Sequence, residues 1–216
     1  MIKRHWFHFW QPPGKNLPPI LVRYPDGSER RIVAEEIGTV EEQAQSWDCA
    51  FKGLVTSDYV VGQVWGRRGS QFLLLYQMRG QMDCPATVRA VRELSRLWPG
   101  CAAKLIEDKA NGSAVIQMLQ HEIPGILPVN PEGGKVARAA AISPLIEAGN
   151  VYLPHPQFFP WVNDFSEECA AFPNAAHDDQ VDAMTQVLLR WNMIPRQPVV
   201  YFDEYEFQRL TQISPI

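Results

Sequence analysis

The chain carries four cysteines, Cys49, Cys84, Cys101 and Cys169, and no two of them form a CxxC pair. That spacing argues against a zinc ribbon and against a disulfide framework, and it leaves reduced thiols as the reading. The five histidines lack zinc spacing as well: His5 and His8 are three apart, with no further ligand near them in sequence. No stretch approaches the 18 apolar residues that a membrane span needs. The start, MIKRHWFHFWQPPGK, is basic and aromatic. It has neither a continuous apolar core nor a small-residue cleavage site, so it does not read as a signal peptide. A surplus of basic charge is also missing. The formal net charge is −4, which does not point to nucleic-acid binding. Nor does it exclude it, because clustered acids lower the net charge and a bound cation reverses the local field.

At 216 residues the chain is long enough for one sizeable core. Residues 1–40 read as an irregular linker or N-terminal extension. Pro12-Pro13, Pro18-Pro19 and the turn-like Tyr24-Pro25-Asp26-Gly27 break any long element. The aromatic cluster Trp6, Phe7, Phe9 and Trp10 is expected to pack on this domain or on a neighbouring one. Residues 41–194 read as the folded domain, and 195–216 as a Pro-interrupted tail.

Three strands are expected first. Ala44–Phe51 is followed by Tyr59–Trp65 and Gln71–Met78, β-branched and aromatic runs separated by Gly66-Arg67-Arg68-Gly69, a hairpin signal. A helix then starts at Cys84-Pro85, with Val88, Val91, Leu94, Leu97 and Trp98 at helical spacing, and Pro99-Gly100 stops it. Short strands at Ala102–Ile106, Ile126–Val129 and Val151–Leu153 alternate with helices over Gly112–Leu119 and Lys135–Ala148. Trp161–Phe172 reads as a further helix, and a last one runs from about His177 to Trp191. This order predicts an α/β fold: an antiparallel meander continuing into parallel βαβ units, with helices flanking a mixed central sheet. That is the layout of the ribonuclease H-like fold.

Three acidic motifs stand out against this pattern: QSWDCAF with Asp48, LIEDKANG with Glu107 and Asp108, and HDDQVDA with Asp178, Asp179 and Asp182. Each borders an apolar segment expected to be core, where an unpaired charge costs several kcal/mol, on the order of the desolvation penalty. Converging carboxylates are accounted for if a divalent cation sits among them.

Five strings, in order and at matching spacing, resemble the C-terminal nuclease domain of tailed-phage terminase large subunits. They are QSWDCAFK, SDYVVGQVWG, LIEDKANG, KVARAAAISPLIEAGNVYLP and FPNAAHDDQVDAM, and with them the resemblance spans Trp6 to Trp191. It implies a ribonuclease H-like endonuclease that cuts concatemeric double-stranded DNA during genome packaging. Two Mg²⁺ or Mn²⁺ ions would be held by three acidic positions: Asp48, one of Glu107 and Asp108, and one of Asp178 and Asp179, with Asp182 one turn on. Implied partners are the terminase ATPase domain, a small terminase subunit and the portal protein, and the implied location is the cytoplasm of a bacterial host. The family's ATPase motif is absent: Gly133-Gly134-Lys135-Val136 has neither the spacing nor the hydroxyl of a P-loop. The chain is therefore expected to be an excised domain or a separately encoded nuclease piece, not by itself the translocating motor.

Hard cations take oxygen ligands, so carboxylates suit a two-metal phosphodiesterase. Asp48 is the first choice, the alternative being a strand-ending turn residue. Glu107 and Asp108 are adjacent and face opposite sides of a strand. Asp108 is slightly favoured, and Glu107 is alternatively a surface partner of Lys109 or Lys104. Asp179 is favoured over Asp178. Asp182 shares a helical face with either and is read as a supporting or second-metal ligand. His177 is read as orienting a water or phosphate, or as a cap or surface residue. Asp58 supports the site, or is a loop residue. Lys109, Lys135, Arg138, Arg67 and Arg68 are candidate phosphate contacts, with Arg67 and Arg68 placed in an exposed hairpin turn. Two other readings stay open: a resolvase- or transposase-like nuclease of the same fold, and a non-catalytic domain docking on portal or DNA.

Overall fold

The computed structural model describes residues 1–49, 59–109 and 111–193. Asp58, the expected strand end at Phe51 and the tail 195–216 lie outside them. In chain order the strands are β1 (His8–Gln11), β2 (Ile20–Arg23), β3 (Glu29–Ile32), β4 (Glu35–Glu36), β5 (Glu42–Asp48), β6 (Val60–Arg68), β7 (Gln71–Gly80), β8 (Cys101–Glu107), β9 (Ile126–Val129) and β10 (Val151–Pro154). The helices are α1 (Cys84–Leu97), α2 (Asn111–Leu119), α3 (Lys135–Glu147), α4 (Val162–Ala171) and α5 (Asp179–Met193).

Eight strands form one mixed sheet in the order β4-β1-β10-β7-β6-β5-β8-β9. β5, β6 and β7 make the antiparallel meander. β8 and β9 continue it in parallel beyond β5. β10 crosses to the far flank and runs parallel to β7. The β6–β7 connection is tighter than expected. β6 continues through Arg68, and Gly69, at φ 62°, takes the positive φ that a two-residue turn demands. Gly66 is a strand residue paired with Gln43 and Leu73, and a side chain there would meet Val40 and Leu75.

The sheet separates two hydrophobic clusters, one with α1 and α2, the other with α3, α4 and α5. Alternation along β5 deals its residues to the two sides. Trp47 joins the α1/α2 cluster and Ala44 joins the other. α1 begins where Asp83 accepts from the Ala86 N–H at 2.7 Å, with Pro85 in its first turn, and it buries Val88, Val91 and Leu94.

Residues 1–40 are not an irregular linker. β1 lies inside the main sheet between β4 and β10, and β2 pairs with β3 in a separate hairpin. The aromatic cluster is the cause. Phe7 and Phe9 are buried in the α3/α4/α5 core, with the Phe7 ring edge-on to Phe165, while Trp10 packs on the opposite cluster. The proline pairs fall between strands, so they interrupt no ladder.

Candidate active site

Asp48 is the last residue of β5 and is buried. Its neighbour on the parallel side is β8, where Ile106 pairs with Trp47. Leu105 packs with the α3/α4/α5 cluster and Ile106 with the α1/α2 cluster. Alternation therefore returns Glu107 to the α5 side, the side of Asp48. Asp108, the sequence preference, is placed differently. Asp108 lies past the strand end and accepts a hydrogen bond from Ser113 Oγ of α2 at 2.6 Å. Glu107 lies within the strand, and that membership gives it a defined side.

α5 packs across β5 and β6. Asp179, Asp182 and Gln186 fall on one helical face. Gln186 Nε2 donates to Ser46 Oγ at 2.9 Å and to the Leu105 carbonyl at 3.1 Å. It thus clasps β5 and β8 two residues before Asp48 and Glu107. Asp179 is buried, and its Oδ2 accepts the Tyr59 N–H at 3.3 Å. Asp178 precedes the helix, is partly exposed, and bonds Lys135 Nζ at 2.6 Å. His177 sits beside the pair, its Nδ1 4.0 Å from Asp179 Oδ2 and its ring edge-on to Tyr59.

The charges in this group act on one another. Burial pushes the Asp48 carboxyl well above its usual range, and Asp182, Asp179 and Glu107 push it further, against a smaller pull from Lys135. Burial also raises Asp182, while Lys135 and Arg138 oppose the rise. Burial alone would lower Lys135, but its hydrogen bonds to Asp178 and Asp182 outweigh it and hold the ammonium above its ordinary value.

The basic candidates divide. Arg138 is not an exposed phosphate contact: it is 8% exposed, and its Nη2 donates to Asp182 Oδ1 at 2.8 Å. Lys135 bridges Asp178 at 2.6 Å and Asp182 at 2.7 Å, leaving about half its side chain at the surface. Lys109 pairs with Glu107 at 3.0 Å, whereas Lys104 turns away to the Cys101 and Pro124 carbonyls. Arg67 and Arg68 are strand residues, not turn residues. Val61 of β6 pairs with Asp48, so Arg67, six residues on, lies roughly 20 Å from the acids at strand rise. Arg67 lies near the Phe72 ring and Arg68 near Glu35.

Sequence reasoning missed Gln186, Gln180, Glu168 and Tyr59. Gln186 had a signal, since it follows Asp182 by four and Asp179 by seven and so shares their helical face. The others had none, because their roles exist only across elements. Beside the acids opens a cleft of about 500 Å³, with Glu107, Asp182, Arg138, Gln186 and Arg190 among its lining residues.

The donor set of Asp48, Glu107, Asp179 and Asp182 is all oxygen, which fits a hard divalent cation rather than zinc held by sulfur and nitrogen. Among the described residues, no three ligating side chains stand close enough to enclose an ion as they are. A cation among them would offset the burial and the repulsion that raise Asp48.

Residues 45–190 match the family model described as the terminase RNase H-like domain. Among solved structures, the large terminase nuclease from thermophilic phage G20c with bound magnesium aligns at a TM-score of 0.57 and 14% identity, over 87% of this chain and 94% of that one. The large terminase nuclease domain of bacteriophage SPP1 with bound manganese aligns at 0.51 and 13%, over 69% and 86%. The large terminase of a second thermophilic bacteriophage aligns at 0.53 and 9%, over 70% of this chain and 39% of that one. At these identities the likeness is one of fold. Among curated proteins, none matches the sequence. The family match covers more than half of the chain, and the meander with its parallel extension agrees with it in fold: the chain belongs to the family of terminase RNase H-like domains.

Proposed function

We propose that this chain is the nuclease domain of a phage large terminase, hydrolysing phosphodiester bonds of double-stranded DNA with Mg²⁺ or Mn²⁺. The observation that carries the reading is the buried Asp48 at the end of β5, with α5 docked so that Gln186 clasps β5 and β8 two residues before Asp48 and Glu107, and with the acids Asp179 and Asp182 on that same helical face. Such a concentration of negative charge is costly alone and productive around cations.

Asp48, Glu107 and Asp179 are the proposed metal ligands. When bound, a pair of divalent ions supplies an activated water and stabilises the leaving oxygen of an in-line displacement. Asp182, already held by Arg138 and Lys135, sets the far edge of the acidic group. Gln186 fixes the spacing between helix and strands. The exposed flank of Lys135, with Arg190 in the cleft, offers positive charge to the DNA backbone. Family membership also supports an ATPase domain, a small terminase subunit and the portal as partners, and the bacterial host cytoplasm as the place of action.

The test is incubation of supercoiled plasmid with the purified chain and Mn²⁺ or Mg²⁺, alongside Asp48→Ala. Nicking and linearisation that need metal and vanish in the variant support the proposal. A folded wild-type protein that neither cuts plasmid nor binds Mn²⁺ would overturn it in favour of a docking role.

A further inference from the structure

Glu168 is a carboxylate outside the acidic group. It sits on α4 and is 9% exposed. Both of its oxygens are engaged. Oε1 accepts the backbone N–H of Gln180 at 2.8 Å. Oε2 accepts Gln180 Nε2 at 2.6 Å and Arg79 Nη2 at 3.3 Å. The first contact satisfies an N–H that the first turn of α5 leaves without a helical partner, and it puts negative charge at the helix N-terminus.

Both contacts lead to Asp179. Gln180 follows it directly in the chain. Arg79 lays its guanidinium over the Tyr59 ring, 4.1 Å from the centroid, and Tyr59 donates its N–H to Asp179 Oδ2. Glu168, Arg79, Tyr59, Asp179 and Gln180 therefore form a closed circuit that meets Asp179 at its carboxylate on one side and at its backbone on the other. Gln180 is anchored further. Its carbonyl accepts from Gln63 Nε2 at 3.0 Å and its Oε1 from Gln77 Nε2 at 2.7 Å, tying the helix start to β6 and β7. Glutamate is specified at 168 because three donors converge on it. An amide there would turn an NH₂ group towards donors.

We propose that Glu168 is a positioning residue for Asp179, fixing that carboxylate through the first turn of α5 and through the Arg79–Tyr59 stack. The inference rests on the reading of Asp179 as a metal ligand. Outer partners that orient a ligand typically contribute about 10–100-fold in metal affinity or activity.

The test compares Glu168→Gln with the wild-type chain by Mn²⁺ titration calorimetry, plasmid-cleavage kinetics and urea unfolding. The expected result is an approximately 10- to 100-fold weaker Mn²⁺ affinity and a lower kcat, with the KM for DNA unchanged. Glu167→Gln, on the same helix but exposed and paired with Arg4, should retain wild-type affinity. A folded Glu168→Gln variant with wild-type Mn²⁺ affinity overturns the inference. Should that variant fail to fold, Arg79→Met tests the Tyr59 arm alone, and there too unchanged affinity overturns it. Asp179→Asn separates the two levels. If it leaves Mn²⁺ binding intact, the ligand reading itself fails and takes this inference with it. If it abolishes binding while Glu168→Gln does not, only the positioning role fails.

Discussion

Arg138 and Asp182 form a buried ion pair, Nη2 to Oδ1 at 2.8 Å, with 9% and 6% of the two side chains exposed. A helix residue that looked available to DNA is the counter-charge of an acid instead. Removing one partner of such a pair leaves the other charged in a poor solvent. Arg138→Ala is therefore expected to destabilise the protein by about 3 kcal/mol, the lower end for a broken buried pair because Lys135 still neutralises Asp182. Lys135→Ala, half-exposed, should cost about 1 kcal/mol or less. Urea unfolding of the two variants measures the difference, and equal losses would contradict this ranking.

The charged form of Asp48 is disfavoured in the metal-free protein, by burial first and then by Asp182, Asp179 and Glu107. In chelator, Asp48→Asn should raise the melting temperature at neutral pH while abolishing cleavage. The pH dependence follows the same sign. A carboxyl raised in the folded state binds its proton more tightly there than in the unfolded chain. Stability of the metal-free protein then falls as pH rises from about 4, the ordinary carboxyl value, towards the raised folded value. Thermal melts in EDTA across this window should show a shallower fall in the Asn variant, and saturating Mn²⁺ should reverse the order of the two proteins.

Glu107 and Asp108 are chemically similar neighbours with opposite placements. Glu107→Gln is expected to reduce cleavage at least by the roughly 100-fold that losing an outer partner can cost. Asp108→Asn keeps an acceptor for Ser113 and should stay within a few-fold of wild type. Single-turnover cleavage of a linear duplex distinguishes them. The reverse ranking would mean that β8 carries the other register at its end.

Gly112 lies where α2 leaves the strand end, and a side chain there would collide with the Glu107 carbonyl oxygen. A backbone group cannot move aside as a flexible side chain can. Gly112→Ala should therefore cost about 1–3 kcal/mol through overpacking, and it should also lower Mn²⁺ affinity by displacing Glu107. A stable variant with normal affinity would show that α2 shifts freely.

Much of the fold was legible because hydrophobic period and turn residues are local signals. The meander, α1 with Asp83 and Pro85 at its start, and the alternation of β8, α2 and β9 needed only runs of neighbouring residues. The N-terminal segment was misread for the same reason. Its prolines are local evidence of interruption, whereas the pairing of β1 with β10 joins His8 to Tyr152 and leaves no local trace.

The acids divide along the same line. Composition and spacing along single elements were enough to place carboxylates at three strand or helix ends, to show that no P-loop string occurs in these residues, and to put Asp182 on one helical face with its neighbours. That Glu107 rather than Asp108 lies on the side of Asp48, that Arg138 is buried against Asp182, and that Glu168 of α4 accepts from the first turn of α5 beside Asp179 are visible only in the packed molecule. Those outcomes depend on strand register and helix docking. Both are set by packing between segments far apart in the chain, where a shift of one residue turns a side chain to the opposite face of the sheet.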